Sequence, residues 1–260
     1  MRLEQVLDVV KYYTQKHLAG SALSYLENDR KLTPDTIAKF ELGYFPFHHE
    51  TMFNECDTKW LRYHKLGFLN QQGRFRCLLE GRITFPLYDV HGNIVAFQSR
   101  KFHKDDQLYD INARKYWHNS FDKSRVLYNL NRALPYIRDK GHVIVGEGQF
   151  DAIMCDQYGI NNCICASGTA LNLQHMSLLA RYAKTIYIVF DNDRGGQEAL
   201  KRLKKFHYVD VDLRYIVLPT PNGDKQDIDS YLRCSGKDAL MGLLVSDTSS
   251  DSLVSCIQLL

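Results

Sequence analysis

A chain of 260 residues, 45% hydrophobic and 24% charged, has the composition of a soluble globular protein with room for one large domain or two smaller ones. Its net charge of +3 permits a polyanionic partner without demanding one, so the distribution of charge matters more than the sum. No apolar run reaches the roughly 18 residues of a membrane span, and "MRLEQVLDVVKYYTQKHL" lacks a signal peptide's uninterrupted apolar core, so a cytoplasmic location is expected, with no membrane partner. The seven cysteines (56, 77, 155, 163, 165, 234 and 256) are odd in number and include no C-x-x-C pair, which predicts reduced, mostly buried thiols and no zinc ribbon.

Residues 3–18 place Leu3, Val6, Leu7, Val10, Tyr13 and Leu18 at helical spacing. "TPDTIAKFELG" reads as a second helix, capped by Thr33 or Asp35 beside Pro34 and ended by Gly43. "WLRYHKLGFL" suggests another short helix. "RITFPLYDVHGNIVAFQSRKF" is two alternating runs joined at Asp89–Asn93, the pattern of a hairpin. Near residue 141 the texture changes. "HVIVGEG", "NCICAS", "TIYIVFDND" and "LRYIVLP" are short continuous apolar runs, and helix-periodic segments lie between them. Alternating buried strands and helices predict parallel strands with crossover helices, an α/β domain over 141–240. It is preceded by an α+β region over 1–140 and followed by a short tail or linker over 241–260.

Ligands of such sheets bind beyond the carboxyl ends of the strands, and that is where the acidic residues of this sequence fall. Glu147 ends the first run, with Asp151 four residues later at a helix start. Asp191 and Asp193 end the third, and Asp227 and Asp229 follow the fourth. Each has an ordinary reading: Asp191 and Asp193 as a solvated turn, Asp151 and Asp229 as helix caps, Glu147 as a solvated residue. Three clusters at one end of one sheet would repel without cations, and an oxygen-only donor set suits Mg²⁺ or Mn²⁺. Gly146 and Gly148 flank the glutamate and allow close approach. In "ASGTALN", Gly168 and Thr169 open a helix that can receive a phosphate, with an ordinary cap by Ser167 or Thr169 as the alternative.

"VIVGEGQFDAIMCDQYGINNCICASGTALN", "IYIVFDNDRGG" and "NGDKQDIDSYL" together resemble the TOPRIM domain, which is shared by DnaG-type primases, type IA and II topoisomerases and some nucleases. A glutamate after the first strand and a D-x-D after the third are its hallmark. Upstream, "YLENDRKLTPDTIAKFELGYFP", "RITFPLYDVHGNIVAFQSRKF" and "RKYWHNSFDKSRVLYNL" resemble the segments before the primase catalytic site, so the likeness spans about residues 10–240 in order. The resemblance implies a TOPRIM parallel sheet with helices on both faces behind an α+β basic subdomain. The implied activity is a primase's: RNA primer synthesis from NTPs on single-stranded DNA, with Glu147, Asp191 and Asp193 catalytic and metal-holding. Asp151, Asp227 and Asp229 would complete the acidic pocket. It raises Arg82, Arg100, Lys115 and Lys123 above the other cations (Lys65, Arg74, Arg76, Lys101, Arg114, Arg125) as nucleic-acid or NTP contacts, with Tyr109, Tyr116 and Trp117 available to stack on bases.

This sequence departs from that family pattern in four places. The amino-terminal zinc-binding domain and a large carboxy-terminal helicase or helicase-binding domain are absent from the 260 residues; for the first, the resemblance implies either a fragment or a separate template-recognition protein, and a phage source, working in the host cytoplasm, is a separate expectation. A replicative helicase is a further implied partner. Ile228 stands where the family has proline between its last two aspartates, and His118 where an asparagine is usual. Two other readings use the same residues: a TOPRIM metal-dependent nuclease with water as attacking group, and a non-catalytic nucleic-acid-binding module. The upstream block argues against the first.

Overall fold

The computed structural model describes residues 2–47, 55–70, 72–102, 114–166, 171–190, 211–219 and 226–246. It divides into two compact units, 1–88 with 92–121 and 89–91 with 122–260.

In the first unit, α1 (Leu3–Lys16) buries Val6, Leu7, Val10 and Thr14 along one stripe, as the apolar spacing requires. It crosses β1 (Gly43–Phe45) at Gly43, where a Cβ would lie 2.5 Å from the Thr14 hydroxyl, so only glycine fits the crossing. Between them lie α2 (Gly20–Ser24), a π-helical turn (Tyr25–Asp29) and α3 (Pro34–Lys39). The Thr33 side chain caps α3 by accepting from the Thr36 amide at 3.2 Å, and Pro34 occupies the first turn. The predicted hairpin forms as β4 (Arg82–Tyr88) and β5 (Ile94–Lys101), and with β6 (Tyr116–His118) the antiparallel sheet runs β1-β4-β5-β6. Val6, Leu7, Val10, Phe45, Leu61 and Phe97 form its core.

The segment read as one helix over 60–69 is half helix and half strand. Helix α4 (Glu55–Tyr63) gives way to β2 (Gly67–Leu69), which pairs with β3 (Phe75–Cys77). Lys65 takes a left-handed φ of 59°, and the Lys65 and Leu66 amides donate back to the Arg62 and Leu61 carbonyls at 3.0 and 2.8 Å. That is a Schellman stop, usually built on glycine, so residue type alone did not reveal it.

In the second unit, β7 (His142–Gly146), β8 (Cys163–Cys165), β9 (Thr185–Phe190) and β10 (Asp212–Val217) pair in parallel in the order β10-β9-β7-β8. All four strands therefore end at one edge. Helices α5 (Leu130–Lys140) and α7 (Leu173–Leu179) pack on the face that carries Val143, Val145, Ile164 and Ile186. Successive strand residues alternate in face, so Ile144 and Cys163 point the other way. On that side α6 (Gln149–Gln157) packs against β8 and against α8 (Ile228–Ser246), which kinks at Gly236. Helices cover both faces of the sheet.

Helix α5 packs into the parallel-sheet unit through its core residues Leu130, Ala133 and Ile137. Helix α8 continues to Ser246 and buries Leu244. Cys77, Cys155, Cys163 and Cys165 are buried free thiols, and burial pushes those of Cys77 and Cys163 up. Among the described residues no helix is long and apolar enough to cross a membrane.

Ile137→Ala is expected to cost about 3 kcal/mol in urea unfolding of the full chain. Tyr136→Ala, next to it on the same helix but 41% exposed, should change stability little.

Candidate functional site

The acidic edge is organised by one buried carboxylate. Asp151, in the first turn of α6, is 4% exposed and folds back over the turn that follows β7. Its Oδ2 accepts from the Glu147 amide at 3.0 Å and from the Gly148 amide at 2.8 Å, and its Oδ1 accepts from the Asp229 amide at 3.2 Å. Gly146 makes this possible: a Cβ there would come within 2.8 Å of the Asp151 Cβ and 3.1 Å of the Ile228 side chain. The Glu147 side chain is left exposed at the carboxyl edge of the sheet, with its backbone pinned.

The other two described aspartates are similarly engaged. Asp227 caps α8: its Oδ1 accepts from the Ser230 amide at 2.8 Å, and the Ser230 hydroxyl accepts from the Asp227 amide at 3.1 Å. Asp229 is fully buried and accepts from Arg233 Nε at 2.9 Å. Asp151 thus accepts from three amides, Asp227 caps α8, and Asp229 pairs with Arg233. Among the described residues no group of three or more His, Cys, Asp or Glu is arranged to hold a metal. Asp191, Asp193, Gly168 and Thr169 lie outside the described residues. Strand β9, which ends immediately before Asp191 in sequence, is the direct neighbour of β7, with Val145 opposite Ile188.

In the first unit, three of the four singled-out cations meet around the β5–β6 pair. Arg82 is 6% exposed and donates to the Arg114 and Lys115 carbonyls at 3.0 and 3.3 Å, so it shapes the entry to β6 rather than facing solvent. The Arg100 guanidinium lies 5.7 Å from the Tyr25 ring centroid and 5.6 Å from that of Tyr116, and also donates to the Tyr25 hydroxyl. Lys115 Nζ lies 5.8 Å from the Tyr116 ring. Two charges stacked on one aromatic platform suit a phosphate chain with a base beside it. Of the remaining cations, Arg76 pairs with Glu80 and Arg125 with Asp122, and Tyr109 lies outside the described residues.

Lys123 belongs to the second unit. Its carbonyl accepts from His175 Nε2 at 2.7 Å, which ties the lysine segment to α7. His175 is fully buried and, among the described residues, its Nδ1 finds no hydrogen-bond partner, so Nε2 carries the proton given to the Lys123 carbonyl. Burial lowers its pKa from 6.5, outweighing the Lys123 carbonyl and the nearby Asp122 charge. Sequence reasoning missed His175, Tyr25 and Asn119. The polar side chain that locks β6 is Asn119, not its neighbour His118: it is 1% exposed and its Oδ1 accepts from the Phe97 amide at 2.7 Å.

Asp151→Asn replaces an acceptor of three amides by a half-donor, and a loss of about 2–3 kcal/mol is expected in urea unfolding. The unfolded chain protonates His175 near pH 6.5 while the fold resists it. Stability is therefore intact above pH 6.5 and declines as pH falls below it, and His175→Gln should flatten that decline in a melting-temperature series.

Comparison with known proteins agrees with this architecture. Residues 10–134 match the model of the DNA primase catalytic core, N-terminal domain, and residues 144–232 match a Toprim-like model. A DNA primase of Legionella pneumophila is 29% identical over 257 residues (95% of this chain, 43% of the relative), and one of Synechococcus elongatus is 31% identical (89% of this chain, 35% of the relative). The chain thus spans about two-fifths of the length of the curated relatives it matches. The E. coli primase catalytic core superposes with a TM-score of 0.80 at 28% identity, covering 94% of this chain and 80% of that one. A DnaG primase catalytic domain bound to ssDNA superposes with a TM-score of 0.77 at 27% identity, with the same coverage. The chain belongs to the DnaG-type primase family, with the family's catalytic-core N-terminal domain followed by a Toprim-like domain.

Proposed function

We propose that this chain synthesises RNA primers from NTPs on a single-stranded DNA template by divalent-metal-dependent nucleotidyl transfer. The supporting observation is the pinned Glu147 turn at the carboxyl edge of β7, beside the strand whose sequence runs straight into Asp191-x-Asp193. A solved relative bound to ssDNA supports the choice of template.

The donor chemistry fits the metal. Carboxylates alone suit a hard, oxygen-preferring cation, Mg²⁺ or Mn²⁺. Glu147 would hold it together with Asp191 and Asp193, with Asp151, Asp227 and Asp229 completing the acidic pocket. When bound, the ion would acidify the attacking 3′-hydroxyl and offset the charge of departing pyrophosphate. Asp151 acts one step back, fixing the Glu147 backbone. Arg100 and Lys115, on the Tyr116 platform, take the phosphates of template or NTP, and Arg82 holds the segment that presents them. Lys123 and the Gly168–Thr169 loop add further phosphate contacts. A replicative helicase and a separate template-recognition protein are the additional partners this reading implies, in the cytoplasm.

Incubation with single-stranded DNA, labelled NTPs and Mg²⁺ or Mn²⁺ should yield NTP-dependent oligoribonucleotides. Asp191→Ala, Asp193→Ala or Glu147→Gln should each lower the yield roughly 100-fold or more while leaving DNA binding and the fold intact. Shortened DNA without synthesis would overturn the proposal in favour of a nuclease. Full activity in Asp191→Ala would point to a non-catalytic module.

A further inference from the structure

The first unit carries a second aromatic and cationic surface, on different elements from the Arg82–Arg100–Lys115 cluster. Helix α4 turns Trp60 and Leu61 into the core and leaves Lys59, Arg62 and Tyr63 on its outer side. Spacing of three and four residues puts these three on one helix face. Across from them the β2–β3 hairpin presents Phe68 and Leu69. Tyr63 is 72% exposed, Phe68 50% and Leu69 45%. Together they line an open groove of about 1020 Å³. That is at the upper end of small-molecule clefts, roughly 300–1,000 Å³, and its open side suits a length of polymer better than an enclosed metabolite.

Charge identifies the polymer. Helix α4 opens with two carboxylates, Glu55 and Asp57, but from Thr58 to Leu79 the sequence has five cations (Lys59, Arg62, Lys65, Arg74 and Arg76) and no carboxylate. The first one after it, Glu80, is buried and already paired with Arg76. Lys59, Arg62 and Lys65 are exposed and make no ion pair among the described residues. Lys65 is held outward by its left-handed backbone at the end of α4. Phe68 lies directly opposite Arg76 in the hairpin, so a stacking ring and a cation share one face there too. Exposed rings interleaved with cations, in a groove whose described lining carries no carboxylate, suit a single strand whose bases stack and whose phosphates are neutralised.

We infer that the α4/β2–β3 groove is a sequence-tolerant binding site for single-stranded nucleic acid, auxiliary to the polymerising site. Tyr63 and Phe68 stack on bases, and Lys59, Arg62 and Lys65 meet the backbone phosphates. The proposed primer synthesis suggests which strand occupies it, the template, but the groove's own chemistry identifies the class of ligand.

The full chain, a fluorescein-labelled oligo-dT and fluorescence anisotropy at several salt concentrations test this. Tyr63→Ala with Phe68→Ala should weaken binding at least about fivefold, the low end of what removing a stacking ring costs, with an unchanged salt slope. Lys59→Ala with Arg62→Ala should weaken it similarly and reduce the slope of log K on log salt by about 1.4, for two lost phosphate contacts. Circular dichroism checks the fold, and synthesis at saturating template should stay within about twofold of the parent for both pairs. Wild-type affinity in both double variants would overturn the inference and assign the surface to an acidic protein partner. No binding by the parent chain would overturn it equally. If the parent binds the oligonucleotide but makes no primer, the proposed synthesis fails and this site stands.

Discussion

The arrangement of the acidic edge depends on the hydrogen bonds of the Asp151 carboxylate. A buried carboxylate costs many kcal/mol unless its oxygens are satisfied. Here three backbone amides satisfy it, two from the turn after β7 and one from the start of α8. The first turn of α6 adds the favourable field of a helix N-terminus. In satisfying its own charge, Asp151 closes the turn on which Glu147 sits and fastens α8 to the edge of the sheet. Gly146 is the complementary constraint, since no side chain fits between that turn and Asp151. The glutamate proposed to serve the reaction is thus placed by a second carboxylate behind it.

The basic subdomain follows the same division of labour. Arg82 is buried and satisfies the carbonyls of Arg114 and Lys115, so its charge supports a strand entry. Arg100 and Lys115 are the cations left with an aromatic face, Tyr116, between them. Tyr25, delivered by a π-helical turn, supports Arg100 from the other side. Asn119 locks β6 against β5 through the Phe97 amide. In both units the groups able to meet a polyanion rest on buried polar side chains with hydrogen bonds of their own.

Much of this was legible in the sequence. Continuous apolar runs separated by helical periodicity do mark the parallel sheet, and the alternation around Asp89–Asn93 does mark the β4–β5 hairpin. What was not legible has physical causes. Helix α5 is amphipathic, and its stripe does not say which core it joins; the buried contacts of Leu130, Ala133 and Ile137 do. Lys65 ends α4 in a conformation that usually calls for glycine, so the helix was read too long. An aspartate four residues after Glu147 looks alike whether it caps a helix or binds an ion. The three amides around Asp151, Ser230 beside Asp227 and Arg233 beside Asp229 show what each carboxylate does for the fold. His118 drew attention because it departs from the family pattern, while the neighbouring Asn119 does the structural task.

The central claim is that Asp151 builds the site and Glu147 serves it. A crystal structure of the chain with Mn²⁺, read through the ion's anomalous signal, tests this most directly. The account predicts density coordinated by Glu147 and the carboxylates of Asp191 and Asp193, with Asp151 still accepting from the Glu147, Gly148 and Asp229 amides. An ion coordinated by Asp151, with those amides released, would contradict it.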